Sequence, residues 1–213
     1  MKAIIYRYNS ICEPDVIATF LEFGFEVNEY SLEMTQKEVA PAEAVRKFGD
    51  YLQEHPADFV FSINFFPTVS EVCNIFHIRY ISWIVDSPVM ELFSTAITNE
   101  WNRTFVFDRA IYNEIAQYHP DGVFHLPLAA RVQEKEKLFA KASASERKKF
   151  AHDIAFVGSL YSEKNPYDKV RNLPERIRGY LEGIMRAQQR VYGCYFIEEL
   201  LTGEVIEDKS IPL

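Results

Sequence analysis

No glycine-rich phosphate loop occurs in the 213 residues. Neither G-x-x-x-x-G-K-[ST] nor G-x-G-x-x-G is present, and the first apolar stretch runs into "RYNS" where a nucleotide-binding unit of those kinds has a glycine turn. ATPase and NAD-enzyme readings lose their main support. A phospho-accepting receiver domain is set aside too, because Tyr8, Asn9 and Ser10 stand where it carries acidic residues. The nucleophile elbow G-x-S-x-G is absent. Histidines 55, 77, 119, 125 and 152 form no H-x-x-x-H pair and have no neighbouring cysteine ligand, so no metal centre and no cofactor are expected. Cysteine is scarce: Cys12, Cys73 and Cys194 are odd in number and far apart, which points to buried thiols and to neither a disulfide framework nor a zinc site. Basic residues are outnumbered 31 to 23, for a net charge of -8. That leaves no basic stripe for a nucleic-acid partner. No apolar run approaches the ~18 residues of a membrane span, and "MKAIIYRYNS" lacks the apolar core and cleavage site of a signal peptide. A cytoplasmic location is expected.

What is present suits a large core: 48% of residues are hydrophobic and 15% aromatic. "AIIY" reads as a first strand. "PDVIATFLEFG" reads as a helix with Pro14 in its first turn and Gly24 past its end. "FEVNEYSL" is a second strand, "PAEAVRKFGDYL" a helix and "DFVFSIN" a third strand. Thr68 and Glu71 are spaced as a capping box opening the next helix. "RYISWIV", "RTFVF" and "GVFHLPL" supply further strands, with the helical "RAIYNEIAQY" between the last two. Strands joined by helical crossovers predict an α/β domain with a Rossmann-like, doubly wound parallel sheet over residues 1–131. Residues 132–150, "VQEKEKLFAKASASERKKF", read as a charged linker or exposed helix. In 151–213, "HDIAFVGSLYS" looks like the first βα unit of another domain, and the rest is mostly helical in pattern.

The stretch "RYISWIVDSPVM" (79–90) is apolar without alternation and then ends in Asp86-Ser87-Pro88. Such a run predicts a strand covered on both faces near the middle of a parallel sheet, stopping before Pro88. Asp86 and Ser87 then sit at the carboxyl edge, where ligands of open α/β sheets bind. "SINFFP", "FD" and "HLPLA" end on the same edge and could line one cleft.

"SWIVDSP", "FVFD" before a helix, "HLPLA" and "DIAFVGSLY", in that order, resemble the N-terminal half of the CgeB-like (spore-maturation-type) bacterial glycosyltransferases, and "GYLEGIMRAQQRVYG" resembles the helical segment after them. The resemblance covers nearly the whole chain. It implies the N-terminal half of a GT-B fold, with an acceptor-side domain facing a donor-side domain that is only begun here. The implied function is the acceptor-side portion of a metal-independent transferase, inactive alone, which moves sugar from a nucleotide-sugar to a hydroxyl on a small molecule, glycan or protein. The alternative is a non-catalytic Rossmann-type module that binds a ligand or a protein.

Asp86 either caps the following turn or faces the cleft and accepts or orients the proton of an acceptor hydroxyl. Asp108 reads foremost as a helix N-cap, with the same catalytic alternative. Asn64, Phe65 and Phe66 form an acceptor platform or belong to the core. Gly158 and Ser159, after an apolar stretch, expose amides to a donor phosphate or form an ordinary turn. Tyr161 stacks on a ligand or packs. In the tail, Leu181, Ile184, Met185, Val191 and Phe196 would face water unless it folds back over the sheet or self-associates.

Overall fold

Residues 1–35, 40–159, 165–170 and 172–201 are described by a computed structural model. In chain order the elements are β1 (Lys2–Tyr6), α1 (Glu13–Glu22), β2 (Glu26–Tyr30), α2 (Leu32–Thr35), α3 (Pro41–Glu54), β3 (Phe59–Ile63), α4 (Pro67–Phe76) and β4 (Arg79–Ile84). Two 3-10 turns, Met90–Phe93 and Thr95–Thr98, lead to β5 (Asn102–Val106), α5 (Arg109–Ile115) and β6 (Val123–His125). Helices α6 (Val132–Lys141), α7 (Ala144–Lys149), α8 (Glu175–Gln188) and α9 (Ile197–Leu200) follow, with a 3-10 turn at Pro166–Lys169 ahead of α8. The chain divides into two compact units, Met1–Ala144 and Ser145–Leu213.

The first unit is a Rossmann-like α/β domain. Its six strands are all parallel, in the order β2-β1-β3-β4-β5-β6. The chain moves one way from β1 to β2, then returns past β1 to add β3 and the rest on the other side. This reversal leaves a crevice between the carboxyl ends of β1 and β3, the place where such sheets bind ligands.

The two sheet faces are covered unequally. On one, Ile4, Val60, Tyr80, Ile84 and Val106 are buried against Phe48 and Leu52 of α3, Val69 and Val72 of α4 and Ile115 of α5. On the other, Ile5, Phe59 and Phe61 pack against Val16, Ile17 and Phe20 of α1. Farther along that second face, Ile81, Trp83 and Phe105 are only half-buried. β4 is therefore central, as its sequence predicts, but fully buried on one face alone. Two apolar faces signal what a strand can bury and leave open whether a helix arrives to cover each.

The capping box at Thr68 does not form. Pro67 is well suited to a helix's first turn and starts α4 two residues early, so Phe66 is the N-cap residue and no side chain caps the end. Of the cysteines only Cys73 is buried; Cys12 is half-buried and Cys194 exposed. In the second unit, the strand expected at "HDIAFV" is absent, and Ile154, Phe156 and Val157 are exposed. A strand needs a neighbour to satisfy its backbone, and no strand occurs among the described residues of this unit. Its helical character is as expected: Leu173 and Ile177 form a small core with Val170, Leu181 and Leu201.

Candidate functional site

Asn64 organises the crevice. It follows β3 directly, is 9% exposed and has φ 57°, a left-handed conformation that asparagine tolerates better than most side chains. Its Oδ1 accepts from the backbone amides of Val85 (3.0 Å) and Asp86 (3.4 Å). These two donors fix the amide's orientation, so its nitrogen must face the other way. There Nδ2 donates to Tyr8 Oη at 2.9 Å and to Asp86 Oδ2 at 2.6 Å. One side chain thus ties the ends of β1, β3 and β4 together.

The tie is supported from beneath. Tyr80 in β4 is fully buried, and its hydroxyl accepts from Phe66 N–H at 3.0 Å and bonds Ser62 Oγ at 2.6 Å. Ser62 in turn donates to the Asn64 carbonyl at 2.6 Å. The loop after β3 is therefore pinned on both sides of Phe65. On the β1 side, Glu13 is completely buried and accepts from the amides of Tyr8 (2.9 Å) and Ser10 (3.0 Å), while its other oxygen takes Arg7 Nε at 3.0 Å. Arg7 also pairs with Glu29. This buried carboxylate holds the turn that presents Tyr8. Burial pushes the Tyr8 hydroxyl's pKa up, and the Asp86 charge adds to the rise, so at neutral pH Tyr8 is a protonated phenol.

Tyr8, Asn64, Phe66, Asp86, Pro88 and Glu91 line a cavity of about 290 Å³, with Phe65 and Val89 behind them. The rings of Phe66 and Tyr8 lie 5.2 Å apart. The lining holds two carboxylates and no lysine or arginine. Glu91 and Val89 come from the loop after β4, which buried Asn102 fastens by donating to the carbonyls of Ala96 and Ile97.

Asp86 makes no bond to a following amide, so its cap role is not realised. It is exposed at the β4 edge and held by Asn64. Asp108 is an N-cap, accepting from Ala110 (2.8 Å) and Ile111 (3.3 Å). Its other oxygen accepts from Ser87 Oγ at 2.7 Å, and the bond from Ser87, with that from the Ile111 amide, holds the carboxyl below its ordinary pKa. Asn64, Asp86, Ser87 and Asp108 are thus gathered on one edge. Phe65 is 1% exposed and packs on Tyr80, which leaves Phe66 as the ring available to a ligand. Gly158 and Ser159 lie in the second unit, outside any strand or helix. A Cβ on Gly158 would stand 2.8 Å from the ring tip of Phe156, an exposed side chain with room to turn away. Tyr161 lies outside the described residues.

Tyr8, Glu13 and Glu91 are the site residues that the sequence did not mark. For Tyr8 the available signal is its place just past β1, which matters once the strand order puts β1 beside the crevice. Glu13 gives no sequence signal, since an acidic residue in a helix's first turn is ordinary and exposed in most cases. Among the described residues no three of His, Cys, Asp and Glu are grouped to hold a metal ion, and no helix is long and apolar enough to cross a membrane. No protein-family model matches the chain, and no curated protein matches it.

Proposed function

We propose that this chain is the acceptor-side portion of a metal-independent GT-B glycosyltransferase of the CgeB-like type, inactive alone, and that the crevice at Asp86 receives the hydroxyl to be glycosylated. The observation that carries this reading is the Asp86 carboxylate, oriented by Asn64 at the carboxyl edge of the sheet in a cavity without a basic side chain. A nucleotide diphosphate calls for cations or helix N-termini, whereas a hydroxyl calls for a carboxylate acceptor and a ring against which a sugar or alkyl carbon can pack.

In this reading Asp86 takes the proton as the acceptor oxygen attacks the anomeric carbon. The new carbon–oxygen bond forms while the bond to the nucleotide diphosphate breaks, and the negative charge leaves with the nucleotide. Asn64 fixes the carboxylate, and Phe66 supplies a ring beside it. The absence of any strand among the described residues of the second unit favours a second reading, a Rossmann-type binding module with no chemistry of its own.

Incubating the chain with UDP-, GDP-, ADP- and TDP-sugars and measuring nucleotide binding and release tests the acceptor-side assignment. Binding weaker than about 1 mM, equivalent to about 4 kcal/mol, with no turnover, is expected. Tight donor binding or robust release by the chain alone would show that the assignment of sides is wrong.

A further inference from the structure

A second, larger groove of about 1070 Å³ opens beside the crevice, and Tyr8 and Asp86 line both. Its floor is the half-covered sheet face, with Phe61, Ile81, Trp83 and Phe105 in neighbouring strands. Val16 and Phe20 of α1 form one wall. Opposite, the segment 126–131 leaves β6 at the sheet edge, and its last residue, Arg131, pairs with Glu22 and lies 3.9 Å from Asp15, both on α1. α1 packs over β1 and β3, so this segment crosses the sheet over β5 and β4. At ~4.8 Å per strand the crossing from β6 to β3 is ~14 Å, within the ~20 Å reach of six extended residues. Leu126 and Leu128 of this strap line the groove from above.

The strap decides what fits. A helix is about 10 Å across and could not lie on the floor without parting Arg131 from α1, whereas a slender apolar molecule passes beneath it. The lining is mostly apolar, with Tyr8, Ser10 and Asp86 on the crevice side. Its two basic residues, Arg131 and Lys135, are paired with Asp15 of α1 at 3.9 and 4.0 Å. Apolar walls with a few placed polar groups are the usual composition of a small-molecule site.

We propose that this groove holds the apolar body of an amphipathic alcohol, whose hydroxyl lies at Asp86. The hydroxyl end rests on the acceptor-side reading above, while the apolar body rests on the groove alone. The acceptor class is then a long-chain or aromatic alcohol, with the anionic amphiphile of the same length disfavoured by the Asp86 charge.

The chain has two tryptophans, so Trp101→Phe leaves Trp83 as the fluorescent reporter, and 1-decanol is the probe. A saturable change in Trp83 emission is expected, with decanoate bound about tenfold more weakly, the equivalent of one lost charge-assisted hydrogen bond. Leu128→Asp, on the exposed strap, should weaken 1-decanol about tenfold with the melting temperature unchanged. No saturable change, or equal affinity in Leu128→Asp, overturns the proposal. A dimer in sedimentation whose formation buries Trp83 would give the groove to a second copy of the chain and overturn it as well. Binding that needs Leu128 but ignores Asp86→Asn would sustain the groove and remove the acceptor role from Asp86, so the two readings fail separately.

Discussion

The side-chain amide of Asn64 donates to Asp86 Oδ2 at 2.6 Å while its carbonyl accepts from the Val85 and Asp86 amides. A carboxylate at a strand end is thereby aimed by a neighbouring strand, with no help from residues that follow it in sequence. Asn64 does this from φ 57°, which sets two separable costs for replacing it. Asn64→Ala loses the hydrogen bonds and adds the left-handed penalty of a β-carbon; Asn64→Gly loses only the bonds. Urea unfolding should place Asn64→Gly about 1 kcal/mol above Asn64→Ala, both below the wild type. Equal stabilities would mean that the backbone conformation carries no cost here.

Glu13 is the buried half of an ion pair whose other half, Arg7, is 22% exposed. Glu13→Gln keeps the shape and removes the charge. Unfolding should show a loss of about 2–4 kcal/mol, at the low side of what breaking a buried pair costs because water reaches Arg7. A loss under about 0.5 kcal/mol, typical of an exposed pair, would contradict the role given to this carboxylate in holding the Tyr8 turn.

Asp108 has its pKa lowered by the Ser87 hydroxyl and the Ile111 amide. A depressed folded pKa stabilises at pH values above the unfolded one, near 3.8, and the benefit is lost as pH falls through the folded value. Relative to Asp108→Ala the wild type should gain about 0.5–2 kcal/mol at pH 7. The gap should close as pH drops below 4. A gap independent of pH would show that the charge has no part in it.

Thiol accessibility gives an independent check on the core. Burial pushes the Cys73 thiol far up, and its side chain is fully enclosed by the α4 face of the sheet. Cys194 should react readily with Ellman's reagent and Cys12 more slowly, with Cys73 reacting only on unfolding. Three fast thiols in the native protein would contradict the packing of α4.

The strand-helix alternation and the central place of β4 were legible because apolar runs bounded by Gly, Pro and polar turns mark elements directly. Asp86 and Asp108 were legible for the same reason, as polar residues at the ends of apolar strands. The Tyr8–Asn64–Asp86 contact was not, since it joins residues 56 and 22 positions apart and exists only once the strand order puts β1, β3 and β4 side by side. The half-open face at Trp83 was hidden too, because a strand's own residues do not record whether a helix covers them. At "HDIAFV" the same apolar signal misled: Ile154 and Val157 have strand propensity, but among the described residues of their unit there is no strand to pair with.

The central claim, that the crevice at Asp86 binds a hydroxyl, is tested most directly by following the Asn64 side-chain amide pair by nitrogen-proton NMR while a neutral hydroxyl ligand such as 1-decanol or a disaccharide is titrated into the full chain. A saturable shift of that amide pair is predicted in the wild type. In Asp86→Asn the affinity should fall about tenfold, the cost of a hydrogen bond to a charged group, with the melting temperature nearly unchanged. Binding of equal strength in Asp86→Asn, or shifts that leave Asn64 untouched, would contradict the account.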